Sequence, residues 1–190
     1  MSAQHSSTGS RLGRRNDPER RQKIMDACLE VIAHSGVTGT SHRKVAAQAG
    51  VPLGAMTYYF DGMHDVLHSA FSRFATSISN GFERQMAEAA DRESACQAVF
   101  ERILQASSGQ GDELILSHEL YTLATRDASF RSITTWWMGR SQLALGAHFD
   151  PQTARLLDAM IEGLTIHRAL DSEARDPEEV RSAIARITRL

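Results

Sequence analysis

Two histidines, His64 and His68, stand four apart in the stretch HDVLH and so share one face of a helix. That spacing suits the first two ligands of a metal ion. No third ligand stands at a recognisable distance, so the expectation is that no metal binds. His118-Glu119 opens like the HExxH of zinc peptidases, but Thr122 occupies the place of the second histidine. The two cysteines, Cys28 and Cys96, lie far apart with no CxxC spacing. That excludes a disulfide scaffold and a cysteine-based zinc module. No GxSxG, P-loop or GxGxxG motif occurs. The titratable residues form no catalytic constellation, and the expectation is a protein that is not an enzyme and takes no cofactor.

The residues that do read as functional lie in TSHRKVAAQAGVPLGAMTYYFDG, residues 40–62. Thr40 or Ser41 can cap a short helix whose inner face is Val45, Ala46 and Ala49. Gly50 supplies the left-handed residue of a tight turn. Pro52 opens a second short helix at its first turn, with Met56 and Phe60 pointing back into the core. Two short helices joined by a glycine-containing turn form a helix-turn-helix, whose second helix enters the major groove of DNA. Outward side chains suit that task. Leu53, Gly54 and Ala55 are small or apolar and can approach thymine methyls and the backbone; Thr57, Tyr58 and Tyr59 offer hydroxyls to phosphates or base edges. Arg43 can reach a guanine edge or a phosphate, and Ser41 stands at the free N–H groups that open the first short helix.

The charge distribution agrees. Residues 1–60 hold eight Lys/Arg against four acids, a net of +4, whereas residues 61–190 hold 13 basic and 19 acidic residues, a net of −6. A small basic unit on a larger acidic body suggests that only the N-terminal part meets a polyanion, the alternative being chance segregation of solvated charge. With 190 residues, 42% hydrophobic and 23% charged, the chain reads as globular and long enough for a core without staples. No apolar run reaches the length of a membrane span, and the polar, arginine-rich N-terminus lacks the apolar core of a signal peptide, so a cytoplasmic location is expected.

Around this segment the chain reads as all-α. Residues 1–16, with Arg11, Arg14 and Arg15, are too polar to fold and are expected to be a disordered tail. From 18 to 35, Ile24, Ala27, Cys28, Val31 and Ile32 make the apolar stripe of an amphipathic helix stopped by Gly36. Longer helical patterns run over about 63–88, 93–107, 112–125, 128–148, 151–170 and 177–189, giving roughly nine helices. Asp17-Pro18, Asp150-Pro151 and Asp176-Pro177 each read as an N-cap followed by proline in the first turn, the last with Glu179 as capping-box partner.

Taken together, helix 18–35, the string SHRKVAAQAGVPLGAMTYYF and the following DGMHDVL resemble the DNA-binding domain of the tetracycline-repressor (TetR/AcrR) family of bacterial transcriptional regulators. The resemblance covers about residues 18–70. It implies an N-terminal three-helix helix-turn-helix domain, residues 17–65, and a C-terminal helical bundle, residues 66–190, for effector binding and dimerisation. By that pattern Ser41, Arg43, Leu53, Gly54, Ala55, Thr57, Tyr58 and Tyr59 face double-stranded DNA. The implied function is a homodimer that represses from a palindromic operator and is released by a small hydrophobic effector. The chain departs from the pattern twice: Thr57 stands where the family often has tyrosine, and Met63 where it often has a phosphate-binding lysine.

In the C-terminal body the apolar side chains are candidates for an effector pocket: Phe100, Leu104, Tyr121, Trp136, Trp137, Met138 and Met160. The alternative for each is ordinary core, because aromatic stripes at helical spacing usually just pack. His118, Glu119, Arg140, Glu162 and His167 are the polar residues that could orient a ligand. The segment 151–170 is apolar nearly all round, which places one side on its own core and the other on a partner, so the dimer is expected through residues 151–189. Two rival readings stand beside this one. A small all-α enzyme would need a set of titratable groups around a pocket. A helical interaction protein would use the same fold without DNA.

Overall fold

A computed structural model describes residues 18–107, 112–173 and 175–189; the N-terminal tail, Asp17 and the glycines of the 109–111 link lie outside them. Among the described residues there are nine helices and no strand. They are α1 (Pro18–Ser35), α2 (His42–Ala49), α3 (Leu53–Tyr59), α4 (Gly62–Glu88), α5 (Arg92–Ser107), α6 (Glu113–Ala124), α7 (Ala128–Leu145), α8 (Pro151–Leu170) and α9 (Pro177–Thr188). None is long and apolar enough to cross a membrane.

The caps explain why the helices start where they do. Ser41 accepts the Lys44 N–H, Asp127 that of Ser129, Asp150 those of Gln152 and Thr153, and Asp176 that of Glu178. Two capping expectations are corrected. Glu179 closes no capping box; its carboxylate lies 3.7 Å from Arg175. Pro52 is the cap of α3 and not its first helical residue, with ψ 144° and its carbonyl accepting from Ala55 at 2.8 Å. Helix α7 also ends three residues early, because Gly146 to Phe149 fold back onto Gln142, Ala144 and Leu145 and bring the His148 ring to the Met86 carbonyl at 2.8 Å.

Two apolar cores share α4. The first gathers Ile24, Cys28 and Ile32 of α1, Val45 and Ala49 of α2, Met56, Phe60, the first half of α4, and Leu116, Leu120, Phe130 and Trp137 from α6 and α7. Cys28 is fully buried there and burial pushes its thiol up to about 12, so it packs and does not react. The second gathers Phe82 and Met86 from the other end of α4 with Val99, Ile103, Leu157, Ile161, Val180 and Ile184. Aromatic rings seal the α4–α7 contact, Phe71 on Phe130 with centroids 6.1 Å apart and Phe74 on Trp137 at 5.7 Å, both edge to face.

In the α2–α3 turn, Gly50 has φ 62° and ψ 38°, and its N–H closes the end of α2. An L side chain there meets no steric wall (Lys23 Nζ lies 3.8 Å from the place of a Cβ), so the cost is conformational. Gly50→Ala is therefore expected to lower stability by about 1–2 kcal/mol while keeping the fold. Chemical denaturation midpoints at constant slope check this.

Candidate nucleic-acid interface and internal cavity

The α2–α3 unit is held by α1. Val45, Ala46 and Ala49 are buried against it, and their small size lets the helices cross closely. The Arg21 guanidinium lies 4.8 Å from the centre of the Phe60 ring and donates to Ser69 Oγ at 2.8 Å, which ties α1 to the end of α3 and to α4. At the α1–α2 turn Gly36 has φ 68°, and the Glu119 carboxylate of α6 sits 2.8 Å from where a Cβ would be.

What this scaffold presents outward is a short, low-relief helix. Leu53 is 54% exposed and Tyr58 53%. Gly54 is exposed, with nothing within 4 Å of the place of a Cβ. Ala55 and Tyr59 are half-buried, and Tyr59 meets Tyr58 edge to face at 4.8 Å. Thr57 is exposed but donates its hydroxyl to the Gly54 carbonyl at 3.2 Å. Ser41 and Arg43 are exposed on the same unit, and the neighbouring Lys44 ammonium donates to the Gly39 carbonyl at 2.7 Å. Met63 packs partly buried against the first core.

His64 is engaged on the protein itself. Its Nε2 lies 3.0 Å from Asp127 Oδ2, joining the start of α4 to the start of α7. The Ser129 hydroxyl and backbone N–H, helped by His64, hold Asp127 down at about 2. His68 stacks on His64 at 6.4 Å, and both rings pack against Phe130. No group of three or more metal-ligating side chains forms among the described residues.

Between α4, α5, α7 and α8 lies a small cavity of about 30 Å³, room for one water molecule. Ile78, Ser79 and Phe82 come from α4, Arg102 from α5, Trp137, Met138 and Ser141 from α7, and Asp158, Ile161 and Glu162 from α8. Of the candidate pocket residues, Trp137 and Met138 line it. Tyr121 stacks behind Trp137 at 6.0 Å and 14°. Four others lie elsewhere. Trp136 is 43% exposed under the Arg140 guanidinium, 4.9 Å away, and Arg140 is paired with Glu83. Phe100 lies under Arg181 at 3.7 Å, and Leu104 and Met160 flank the second core. The polar candidates also divide. Glu162 reaches the cavity, Glu119 the α1–α2 turn, His118 the Leu114 carbonyl at 2.7 Å, and His167 is exposed.

The sequence reading missed Asp158. Its signal was present: Asp158 and Glu162 are four apart, the two acids of the segment 151–170, one turn of the same helix face. Ser79 and Arg102 come from other helices, and no local pattern marks them.

Polar satisfaction in the cavity is incomplete. Arg102 is taken by Glu113 in a two-pronged ion pair, and Asp158 accepts from Gln142 Nε2 at 3.0 Å. The Ser79 hydroxyl is buried without a hydrogen-bond partner. Tyr121 is pushed above its usual range by burial first, by the Glu162 charge second and by its side-chain interaction with Glu162 third. Burial, reinforced by Asp158, pushes Glu162 up; Tyr121 and Arg102 oppose the shift.

Comparison with known proteins places both halves. Residues 24–70 match the family model for bacterial regulatory proteins of the tetR family, and residues 89–190 match that for the tetracyclin repressor-like C-terminal domain. Among solved structures, SCO7518 of Streptomyces coelicolor A3(2), a proposed transcriptional regulator, is 47% identical, with a TM-score of 0.85 over 91% of this chain and 100% of that one. The multidrug binding protein EbrR, solved with ethidium, is 31% identical, with a TM-score of 0.75 over 90% of this chain and 99% of that one. The regulator SrpR of Pseudomonas putida is 28% identical over 98 residues, 52% of this chain; the matched part spans 46% of SrpR.

The Glu162 carboxyl carries a stability cost with a definite sign. Its folded-state value lies above the unfolded one. Above the ordinary carboxylate range the unfolded chain has therefore released a proton that the folded chain retains, and stability falls as pH rises. Glu162→Gln is expected to raise the melting temperature at about pH 8, by about 2–4 °C for each kcal/mol relieved, and the gain should shrink toward about pH 4. Melting curves of both proteins at the two pH values check it.

Proposed function

This chain belongs to the tetracycline-repressor family of bacterial transcriptional regulators, and from that premise we propose that it is a cytoplasmic, dimeric repressor released from its operator by a small hydrophobic effector. The observation that carries the DNA-binding half is the surface of α3. It exposes Leu53, Gly54, Thr57 and Tyr58 on a helix whose opposite side, Met56 and Phe60, is buried. A helix this bare lets the backbone approach base edges, while Tyr58, Tyr59, Ser41 and Arg43 reach the flanking phosphates. Thr57 gives up its intrahelical bond to take part.

The effector half rests on the cavity. At about 30 Å³ it is too small for a molecule larger than water, so a ligand has to part α4 from α7 and α8 to be enclosed. Helix α4 carries the α2–α3 unit at its other end. A ligand that prefers the parted arrangement respaces the two recognition helices and weakens their fit to half-sites about 34–36 Å apart. EbrR, with bound ethidium, supports a ligand-binding role for this body. The family reading also favours a regulator over a catalyst or a partner-binding helical protein.

For the dimer we assign the face of α8 that carries Leu156, Met160, Gly163 and His167, one stripe at helical spacing. Leu156 is 50% exposed and His167 exposed, whereas Leu157, Ile161 and Leu164 on another face pack on the second core. Ile161, which the all-round apolar pattern of 151–170 left unassigned between partner and core, belongs to its own protomer's core. Leu156→Glu is expected to give a helical monomer, and Ile161→Glu an unfolded chain, because only the second buries a charge without a partner. Sedimentation and circular dichroism separate these outcomes.

The test of the DNA half is selection of bound sequences followed by affinity measurement against salt. The expected result is a palindromic site whose affinity falls steeply as salt rises. Gly54→Ala is the sharpest variant. The folded chain has room for the methyl, and helix propensity gains up to about 1 kcal/mol. On DNA the same methyl occupies the groove-facing surface, so affinity for the site should fall about tenfold or more, near 1.4 kcal/mol. A stabilised Gly54→Ala protein with wild-type affinity would refute the assignment of α3, and failure to enrich any sequence would refute the repressor reading.

A further inference from the structure

The cavity carries a charge preference that the effector reading leaves open, and the inference rests on that reading. We infer that Glu162 is the counter-charge for the effector and that the effector is a flat aromatic cation. Glu162 sits one helical turn from Asp158, so two carboxylates border the same space. Among the described residues the basic group in the wall is Arg102, already taken in both prongs by Glu113. Among those residues the space is thus left with negative charge in excess and no free cation. Two half-buried carboxylates on one wall repel each other, and a bound cation offsets that repulsion; an anion would add to it.

The rest of the wall fits the same class. Trp137 and Phe82 offer aromatic surface, and a cation over such a ring gains further attraction when water is excluded. Ser79 lines the cavity with a hydroxyl that is buried and unpartnered. A ligand with an N–H or hydroxyl group gives it a partner. Arg140, the residue best suited to clamp a carboxylate, is held outside by Glu83 and Asn80 and does not enter the cavity.

The experiment uses three ring systems of nearly equal size, 1-methylquinolinium, neutral quinoline and quinoline-4-carboxylate, titrated by calorimetry into the full-length protein. The expected result is binding of the cation at least tenfold tighter than quinoline and weakest binding of the carboxylate. In Glu162→Gln and, as a second variant, Asp158→Asn, the cation should lose that advantage while quinoline is unchanged. Equal affinities in the wild type, no binding of the cation, or full preference retained in both variants would overturn the inference. Release from the selected operator is scored on the same samples. A cation that binds through Glu162 yet leaves DNA bound upholds the charge preference and refutes the effector role of the cavity, so the two failures are told apart.

Discussion

The structure depends on one continuous helix belonging to two cores at once. Helix α4 runs for 27 residues, about 40 Å at the helical rise. Its first turns complete the core under α2 and α3, through Val66, Leu67, Ala70 and Phe71. Its last turns, through Phe82 and Met86, complete the core of the C-terminal bundle and one wall of the cavity. No proline interrupts it, so in the proposed mechanism displacement at one end is carried to the other through continuous helix. Without that shared helix, the DNA-facing unit and the cavity would be independent objects.

Helix α4 is also held near its DNA-facing end. His64 reaches Asp127, and Phe71, His64 and His68 all pack around Phe130. That contact is aromatic and buried at Phe130, whereas the cavity end has an unfilled space beside Ser79 and Phe82. In the proposed mechanism, a force applied in the cavity meets least resistance at that end and is absorbed as pivoting about the Phe130 contact. Helix α6 offers a second connection. It holds Tyr121 against Trp137 on one side and the Glu119 carboxylate against the Gly36 turn on the other, so it touches both the cavity wall and the base of the DNA-facing unit.

How far this was legible in the sequence follows from which patterns are local. Helix α1 and the α2–α3 unit were readable because their signals, an apolar stripe, Gly50 in the left-handed region and a serine cap, each act within a few residues. The choice between Trp136 and Trp137 was also local. Phe130, Ile133, Thr134 and Trp137 form the buried stripe of α7, and Trp136 is turned about 100° from it. Helix α8 defeated the same argument for Ile161, because apolar residues on nearly every face leave no polar side to orient it. Phe100 and Leu104 were placed on the cavity wall by residue type alone, whereas their true position depends on how α5 crosses α8 and α9, a long-range fact with no local signature.

The same cavity explains why its polar groups are left incomplete. A core of this fold could fill the space beside Trp137 with apolar side chains and gain stability; instead α4 brings the unpartnered Ser79 hydroxyl and α8 the Asp158 and Glu162 carboxylates to its wall. Had Arg102 turned to Glu162, the two would close into a satisfied pair and the site would be inert, but Glu113 holds Arg102. In the proposed mechanism the unmet groups raise the free energy of the closed arrangement, and a ligand that meets them lowers that of the parted one. Only such a difference between the two arrangements can shift the population; affinity equal in both would leave α4 where it is. The groups that weaken the empty fold are therefore the same ones through which a ligand gains leverage on α4.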